Sequence, residues 1–416
     1  MGVVNPLFLS YLLFMIENKQ APEKIIMVGV SRGETDIDKS LDELAELIKT
    51  AGGEVVGRIT QNLDNFNNKT YIGSGKLDEL AMYIESLEAD GICCDDELSP
   101  IQMRNLNDYL NVKVMDRTMV ILDIFAGRAK SHEGKIQVEL AQMQYRAAKL
   151  IGLGKQMSRT GGGIGTRGPG EKKLEIDRRR IHDRISLLKK DVAEIEKHRD
   201  TARKSRARNN KKVAAIVGYT NAGKSTLLNK LTDADVLSED KLFATLDPTT
   251  RMLDLSNGLE ILLTDTVGFI SKLPHNLIDA FRSTLEEAIY SDIIIHVVDA
   301  SDPEMDMKMK IVYETLHSLK VENKPVITLF NKCDMLTDEV ILSDLNAEKC
   351  IRISAKTGLG LDKVMDSLRN FLREGKELKT MKFSFDETSK VYDLKNKYEI
   401  IEEVYTEDGI EIKGYF

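Results

Sequence analysis

Nine consecutive residues, Gly218-Tyr219-Thr220-Asn221-Ala222-Gly223-Lys224-Ser225-Thr226, end one apolar run, Lys212 to Gly218, and lead into the helical pattern Leu-Leu-Asn-Lys-Leu. This is a GxxxxGK[ST] loop in the strand-to-helix setting its chemistry requires. Glycines let backbone N–H groups wrap a phosphate, and the helix N-terminus behind them favours an anion. A lysine at position 224 neutralises charge on the β- and γ-phosphates, and the Ser225 hydroxyl suits Mg²⁺, which takes hard oxygen ligands. The loop predicts a nucleoside triphosphate bound together with Mg²⁺.

The base is read farther along. The apolar run Val326 to Phe330 ends in Asn331-Lys332-Cys333-Asp334. A carboxylate at Asp334 accepts two hydrogen bonds from the N1–H and exocyclic amine of guanine, an edge that adenine does not present. Lys332 can lay its aliphatic stem along the base, and Ser354-Ala355-Lys356 follows the run Cys350 to Ile353 with a backbone N–H for guanine O6. Each short motif is weak alone; in this order behind a phosphate loop they point to GTP.

Between them the run Ile261 to Leu263 leads into Thr264-Asp265-Thr266-Val267-Gly268-Phe269. In this DxxG pattern Asp265 holds Mg²⁺ through a water, and the Gly268 N–H meets the γ-phosphate. Phe243-Ala244-Thr245-Leu246-Asp247 lies upstream, with Thr245 twenty residues from both Ser225 and Asp265. Thr245 is the natural second Mg²⁺ hydroxyl, with Thr249 or Thr250 as the alternative. Lys224, Thr245 and Gly268 are thus the expected catalytic set. Phe269 stands where many GTPases carry a glutamine that orients the attacking water, so unassisted hydrolysis is expected to be slow.

These loops need elements to hold them, and 416 residues exceed what one core usually organises. Hydrophobic residues make up 42% and charged residues 30%, a globular balance rather than a disordered or membrane-spanning one. The four cysteines include the adjacent Cys93 and Cys94, so no disulfide framework is legible, and the histidines show no metal-ligand spacing. A reducing cytoplasm fits.

The first sixteen residues, MGVVNPLFLSYLLFMI, are apolar but short of a bilayer span, which takes about 20 residues. They read as an element packed on the next domain, or as a stretch preceding a start at Met15. From Ala21 to about Arg117 short β-rich runs alternate with helical ones: Lys24 to Val30, Asp38 to Thr50, Glu54 to Ile59, Leu77 to Leu87, Gly91 to Cys94, Ile101 to Leu110 and Val112 to Met115. Strict alternation implies a parallel sheet covered by helices, with Cys93 and Cys94 in its core. Ile72-Gly73-Ser74-Gly75-Lys76 there lacks the leading glycine of a phosphate loop and reads as a turn into a helix.

Ile136 to Leu150 and Leu174 to Ile195 carry two apolar stripes at helical spacing, joined by a loop at 151–170 with eight glycines in twenty residues. An antiparallel hairpin follows. Glu171 to Lys212 holds 16 Lys and Arg against 8 Asp and Glu, so this segment carries +8 while the rest of the chain carries −16. Lys155, Arg159, Arg167, Lys172 and Lys173 are the candidate contacts to an RNA phosphate backbone. After the GTP-binding region, Lys382 to Phe385 and Glu399 to Val404 read as strands around a helix, and Glu407-Asp408-Gly409 as a turn into Ile410 to Tyr415.

The chain resembles the HflX family of translation-factor-related GTPases over nearly its whole length. The residues that carry this are FATLD, DTVGF, the run Asp116 to Tyr145 and the run Gly161 to Ile181. Lys172 and Lys173 stand where family members typically have Thr and Gln. The resemblance implies an N-terminal parallel α/β domain (21–129) after the extension 1–20, a long antiparallel helical hairpin (130–211), a P-loop G domain (212–376) and a small C-terminal α/β appendage (377–416). It further implies that the protein binds GTP and GDP and meets the rRNA of the large ribosomal subunit through its hairpin; a cytoplasmic monomer without stable membrane insertion is expected, with peripheral association with a membrane as the alternative. Hydrolysis stimulated by that subunit, in ribosome splitting, rescue or biogenesis, is the function it implies. A membrane-recruited signalling GTPase using the apolar N-terminus, and an ATP-dependent RNA remodelling enzyme, are the competing classes.

Overall fold

The computed structural model describes residues 21–33, 36–160, 169–208, 211–232, 242–243, 249–255, 259–272, 274, 282–321, 323–336 and 340–416. The apolar N-terminal run expected to pack or to precede a start at Met15 lies outside them. The described residues fall into two compact units, one within 1–127 and 145–180 and one within 128–144 and 181–416.

In the first unit, β1 (Lys24–Ser31), β2 (Glu54–Asn62), β3 (Gly91–Cys94) and β4 (Lys113–Asp116) form a parallel sheet in the order β2-β1-β3-β4. The β1 run Lys-Ile-Ile-Met-Val-Gly-Val is apolar at nearly every position because both sheet faces are covered, as parallel strands require. The covering helices are α1 (Ile37–Thr50), α2 (Ser74–Leu87) and α3 (Pro100–Leu110). The start of α1 is capped by Asp36, and α3 opens on a capping box of Ser99 and Gln102. Cys93 and Cys94 are fully buried, and burial pushes both thiols up. The Gly73 N–H that opens α2 donates to Gln61 Oε1 at 2.8 Å, so this turn satisfies itself within the domain.

One helix has no counterpart in the sequence reading. Immediately after β4 comes α4 (Arg117–Arg128), without an intervening turn residue to announce it. Its first residue is charged but buried: the Arg117 guanidinium donates to Asp95 Oδ1 at 2.6 Å, Glu43 Oε2 at 2.8 Å and the Ser40 carbonyl at 2.8 Å. A buried charge this fully compensated belongs to the packing of α4 against β3 and α1.

The hairpin comprises α5 (His132–Thr160) and α6 (Pro169–Arg208). Glu133 pairs with Arg199 at 2.6 Å and Glu139 with Arg184 at 2.7 Å, a reversed order that makes the helices antiparallel. Ile136, Leu140, Ile185 and Leu188 are buried. The expected loop 151–170 is corrected: residues 151–160 continue α5, and α6 begins at Pro169. Gly152 and Gly154 cost the helix about 1 kcal/mol each relative to alanine, which the good helix formers around them tolerate. Tyr145 and Lys149 of α5 hold the Asp116 carboxylate at the end of β4, the phenol donating at 2.9 Å and the ammonium lying 3.4 Å away.

In the second unit, β5 (Val213–Gly218), β6 (Thr249–Asp254), β7 (Glu260–Asp265), β8 (Ile293–Asp299), β9 (Val326–Asn331) and β10 (Lys349–Arg352) make a sheet ordered β10-β9-β8-β5-β7-β6. Only β6 runs antiparallel to its neighbour. Its helices are α7 (Lys224–Thr232), α8 (Arg282–Tyr290), α9 (Met305–Ser318) and α10 (Leu361–Arg373), and the apolar side chains of β5, β7, β8, α7 and α10 meet in one core. The C-terminal strands β11 (Leu378–Phe383), β12 (Glu399–Thr406) and β13 (Gly409–Tyr415) pair antiparallel in the order β11-β13-β12, with α11 (Thr388–Lys397) contributing Val391 to their core. Phe385 belongs to a short 3₁₀ turn rather than to the expected strand.

Candidate nucleotide site

The phosphate loop spans the gap between β5 and α7. Gly218 ends β5 so close to β8 that a Cβ there would lie 2.2 Å from the Val297 carbonyl oxygen. Gly223 has φ +93°, and a Cβ on it would lie 2.3 Å from Asn331 Nδ2. Both positions therefore need glycine. Between them Tyr219, Thr220 and Ala222 are buried and Asn221 is exposed, while Ser225 and Thr226, in the first turn of α7, are half-buried.

Lys224 is buried, and its ammonium donates to the Tyr219 carbonyl at 2.8 Å. Desolvation lowers it to about 8, with Asp265 opposing the shift. Ser225 Oγ donates to Asp265 Oδ2 at 2.7 Å, which joins the loop to the end of β7 across forty residues of sequence. Thr266 is turned inward, its hydroxyl donating to the Ile216 carbonyl at 2.7 Å, and Val267 is buried beside it. Gly268 then passes close over the loop.

Phe269 does not face that space. Its side chain is 2% exposed, its N–H donates to the Gly218 carbonyl at 3.1 Å, and its carbonyl accepts from Thr220 N–H at 2.8 Å. The Tyr219 phenol accepts from Ser271 N–H at 2.7 Å, and Lys308 of α9 sits over the Tyr219 ring at 5.2 Å. The segment after DxxG is thus stitched to the phosphate loop by a short ladder. Sequence reasoning missed this stitching, because the partners lie about fifty residues apart with no spacing rule between them.

At the base end, Asn331 does not point at solvent. Its amide donates to the Ala222 carbonyl at 2.8 Å, and its Oδ1 accepts from Ala355 N–H at 2.8 Å. One side chain therefore locks three separate motifs together. Lys332, with φ +62°, places its ammonium 2.7 Å from Asp299 Oδ2. Cys333 turns its thiol to the Phe330 carbonyl, and partial burial pushes it up. Asp334 is exposed, Ser354 is buried and accepts from Thr357 N–H at 3.1 Å, and Lys356 is exposed.

Phe243 is buried with φ +55°. Ala244, Thr245, Leu246 and Asp247 lie outside the described residues. Of the alternatives, Thr249 and Thr250 open β6, and the Thr250 hydroxyl shares a 2.9 Å hydrogen bond with that of Thr264. Lys155 and Arg159 fall on α5, Lys172 and Lys173 on the first turns of α6, and Arg167 outside the described residues. Among the described residues no group of three or more His, Cys, Asp or Glu could hold a metal ion, and no helix is long and apolar enough to cross a membrane.

Three family models match the chain in succession: "GTP-binding GTPase N-terminal" over 38–126, "GTP-binding GTPase Middle Region" over 128–206 and "50S ribosome-binding GTPase" over 213–332. A GTPase HflX of Lacrimispora saccharolytica is 57% identical over 402 residues, covering 96% of this chain and 95% of the relative. The GTPase HflX of Escherichia coli is 39% identical over 357 residues, covering 85% and 84%. Among solved structures, a complex of SsGBP with GDP is 26% identical with a TM-score of 0.48, covering 84% of this chain and 98% of that one. With relatives this similar along nearly its full length, the chain belongs to the HflX family of GTPases, enzymes that bind and hydrolyse GTP.

Proposed function

We propose that this GTPase is a switch acting on the large ribosomal subunit, in ribosome splitting, rescue or biogenesis, and that its helical hairpin carries the contact to rRNA. The observation that supports the ribosomal part is the pairing of a domain matched by the description "50S ribosome-binding GTPase" with a hairpin helix of concentrated positive charge in an otherwise acidic chain. Electrostatic attachment to a phosphate backbone is the physical use of such a stripe, and the acidic remainder suppresses nonspecific contacts. The G domain, hairpin, N-terminal domain and C-terminal appendage divide, in this reading, at 212–376, 130–211, 21–129 and 377–416, and the protein works as a monomer in the cytoplasm.

The nucleotide site follows the same reading. Gly218 to Thr226 wraps the phosphates, Lys224 neutralises the β- and γ-phosphates, the Gly268 N–H senses the γ-phosphate, and Asp334 reads guanine. Asn331 holds these parts in register, which the hydrogen bonds to Ala222 and Ala355 support. The residues also fit Mg²⁺: Ser225 Oγ and Asp265 Oδ2 are hard oxygen donors brought within 2.7 Å at the end of the loop. When bound, the ion neutralises developing charge on the phosphates. Thr245 supplies its second hydroxyl in this reading.

Sedimentation through sucrose gradients with separated ribosomal subunits tests the reading. Comigration with the large subunit is expected with a non-hydrolysable GTP analogue, and weaker comigration with GDP or no nucleotide. Binding to lipid vesicles in place of subunits would instead support a membrane-recruited switch.

A further inference from the structure

Thr220 is 7% exposed, and its hydroxyl is buried without a hydrogen-bond partner among the described residues. Buried hydroxyls are nearly always satisfied, because leaving one unmade costs free energy. The Thr220 N–H is already committed to the Phe269 carbonyl at 2.8 Å, so the hydroxyl is the donor this residue retains.

Its place in the loop says what it lies beside. A Cβ built on Gly268 would lie 2.8 Å from Thr220 Cγ2, 2.9 Å from Thr220 Cα and 3.0 Å from Lys224 Nζ. The Thr220 methyl and Cα and the phosphate lysine therefore converge on the DxxG glycine, with the Thr220 hydroxyl on the neighbouring branch of the same Cβ. The opposite end of the loop, Ala222 and Gly223, meets Asn331 and the base motif. Thr220 thus stands at the terminal-phosphate end, where Phe269 offers no polar group because it is folded into the core.

We propose that Thr220 Oγ1 donates a hydrogen bond to the γ-phosphoryl group of GTP and is a further catalytic residue of its hydrolysis. This rests on the phosphate loop being the GTP site. In hydrolysis the water oxygen bonds to the γ-phosphorus, and the bond from that phosphorus to the β–γ bridging oxygen breaks with its electron pair leaving on GDP. The water proton passes to the released phosphate. A donor aimed at a γ-oxygen stabilises the charge spread over that group in the transition state, and it has no partner in GDP.

The test compares the full chain with Thr220→Val, which keeps the shape but removes the hydroxyl, and Thr220→Ser, which keeps the hydroxyl. Single-turnover GTP hydrolysis and the affinities for fluorescent GDP and a fluorescent non-hydrolysable GTP analogue are measured on each. Thr220→Val is expected to slow hydrolysis by about tenfold or more and to weaken the analogue relative to GDP, with GDP affinity held within about twofold and Thr220→Ser near wild type. Wild-type hydrolysis and an unchanged analogue-to-GDP ratio in Thr220→Val would overturn the proposal. So would equal loss of GDP binding in both variants, which would make Thr220 a packing residue. Unaltered nucleotide binding in Lys224→Ala would instead remove the site itself, a failure separable from that of Thr220.

Discussion

Lys224 sits where burial opposes charge, and the two consequences of that conflict have opposite signs with and without nucleotide. The usual lysine value is 10.5, and desolvation by burial brings it to about 8. Below pH 8 the lysine is charged in both folded and unfolded chains, and the folded chain bears the cost of burying it. From about pH 8 to 10.5 the unfolded chain keeps a proton that the folded chain has released, so the stability of the nucleotide-free protein rises with pH across that window. A phosphate beside Lys224 restores the charged form. Binding of GDP should therefore take up protons at pH 9, and far fewer at pH 7. Calorimetry in two buffers of different ionisation enthalpy measures this, and zero uptake at pH 9 would mean that Lys224 stays charged in the nucleotide-free protein. Asp334 carries the second prediction at this scale. Its carboxylate is exposed at the base end and accepts from two guanine donors in the proposed pose. Asp334→Asn should lose GTP affinity by tenfold or more, roughly the 1.4 kcal/mol or greater expected for a charged hydrogen-bonding group, and should gain xanthosine triphosphate, whose O2 accepts from the new amide. Equal GTP affinity in a binding titration would place the base elsewhere.

The hairpin is the element on which charge and length matter together. Its two helices are held by ion pairs at Glu133–Arg199 and Glu139–Arg184 and by the buried Ile136, Leu140, Ile185 and Leu188. The exposed pair Glu139–Arg184 is worth about 0–1 kcal/mol and the half-buried pair Glu133–Arg199 bears a desolvation cost, so the apolar seam carries more of the stability than the salt bridges do. Because α5 continues to Thr160, Lys155 and Arg159 ride on a helix rather than in a loose loop, which lowers the ordering cost of a contact made with them. Replacing Lys155, Arg159, Arg167, Lys172 and Lys173 with alanine should weaken large-subunit binding and flatten its salt dependence by about 0.7–0.9 in slope per lost phosphate contact. GTP affinity should not change. A variant with the wild-type salt slope would show that these five residues touch no phosphate.

At the scale of the whole molecule, hydrolysis is expected to need a partner. Phe269 is pinned in a ladder with Gly218 and Thr220, so its side chain cannot orient a water. Turnover by the protein alone should fall below about 1 s⁻¹, the low end of typical enzymes, and large ribosomal subunits should raise it at least about tenfold. Steady-state phosphate release with and without subunits decides this. Fast release that subunits leave unaltered would put the water-orienting group within this chain.

Family, fold class and GTPase activity were legible from contiguous stretches of sequence. Gly218 to Thr226 and Asn331 to Asp334 announce themselves because the phosphate wrapping and base recognition proposed for them need particular backbone conformations and side chains at fixed local spacing. The alternation of β and α runs before Arg117 was legible for a similar reason: strand and helix periodicities are properties of neighbouring residues. Other features were not. α4 begins at a buried arginine whose charge is tolerable only because Asp95, Glu43 and Ser40 arrive from other elements. The glycines at 152 and 154 suggested a loop, and only the helix that continues through them corrected it. The tie of Asn331 to Ala222 and Ala355, the stitching of Phe269 to the phosphate loop and the Thr220 hydroxyl, without a partner among the described residues, all depend on segments brought together from about 24 to 109 residues away. Local spacing encodes which chemistry a loop can perform. How that loop is held, and what its side chains face, is decided by burial and by hydrogen-bond satisfaction across the fold, which leave no periodic trace along the chain.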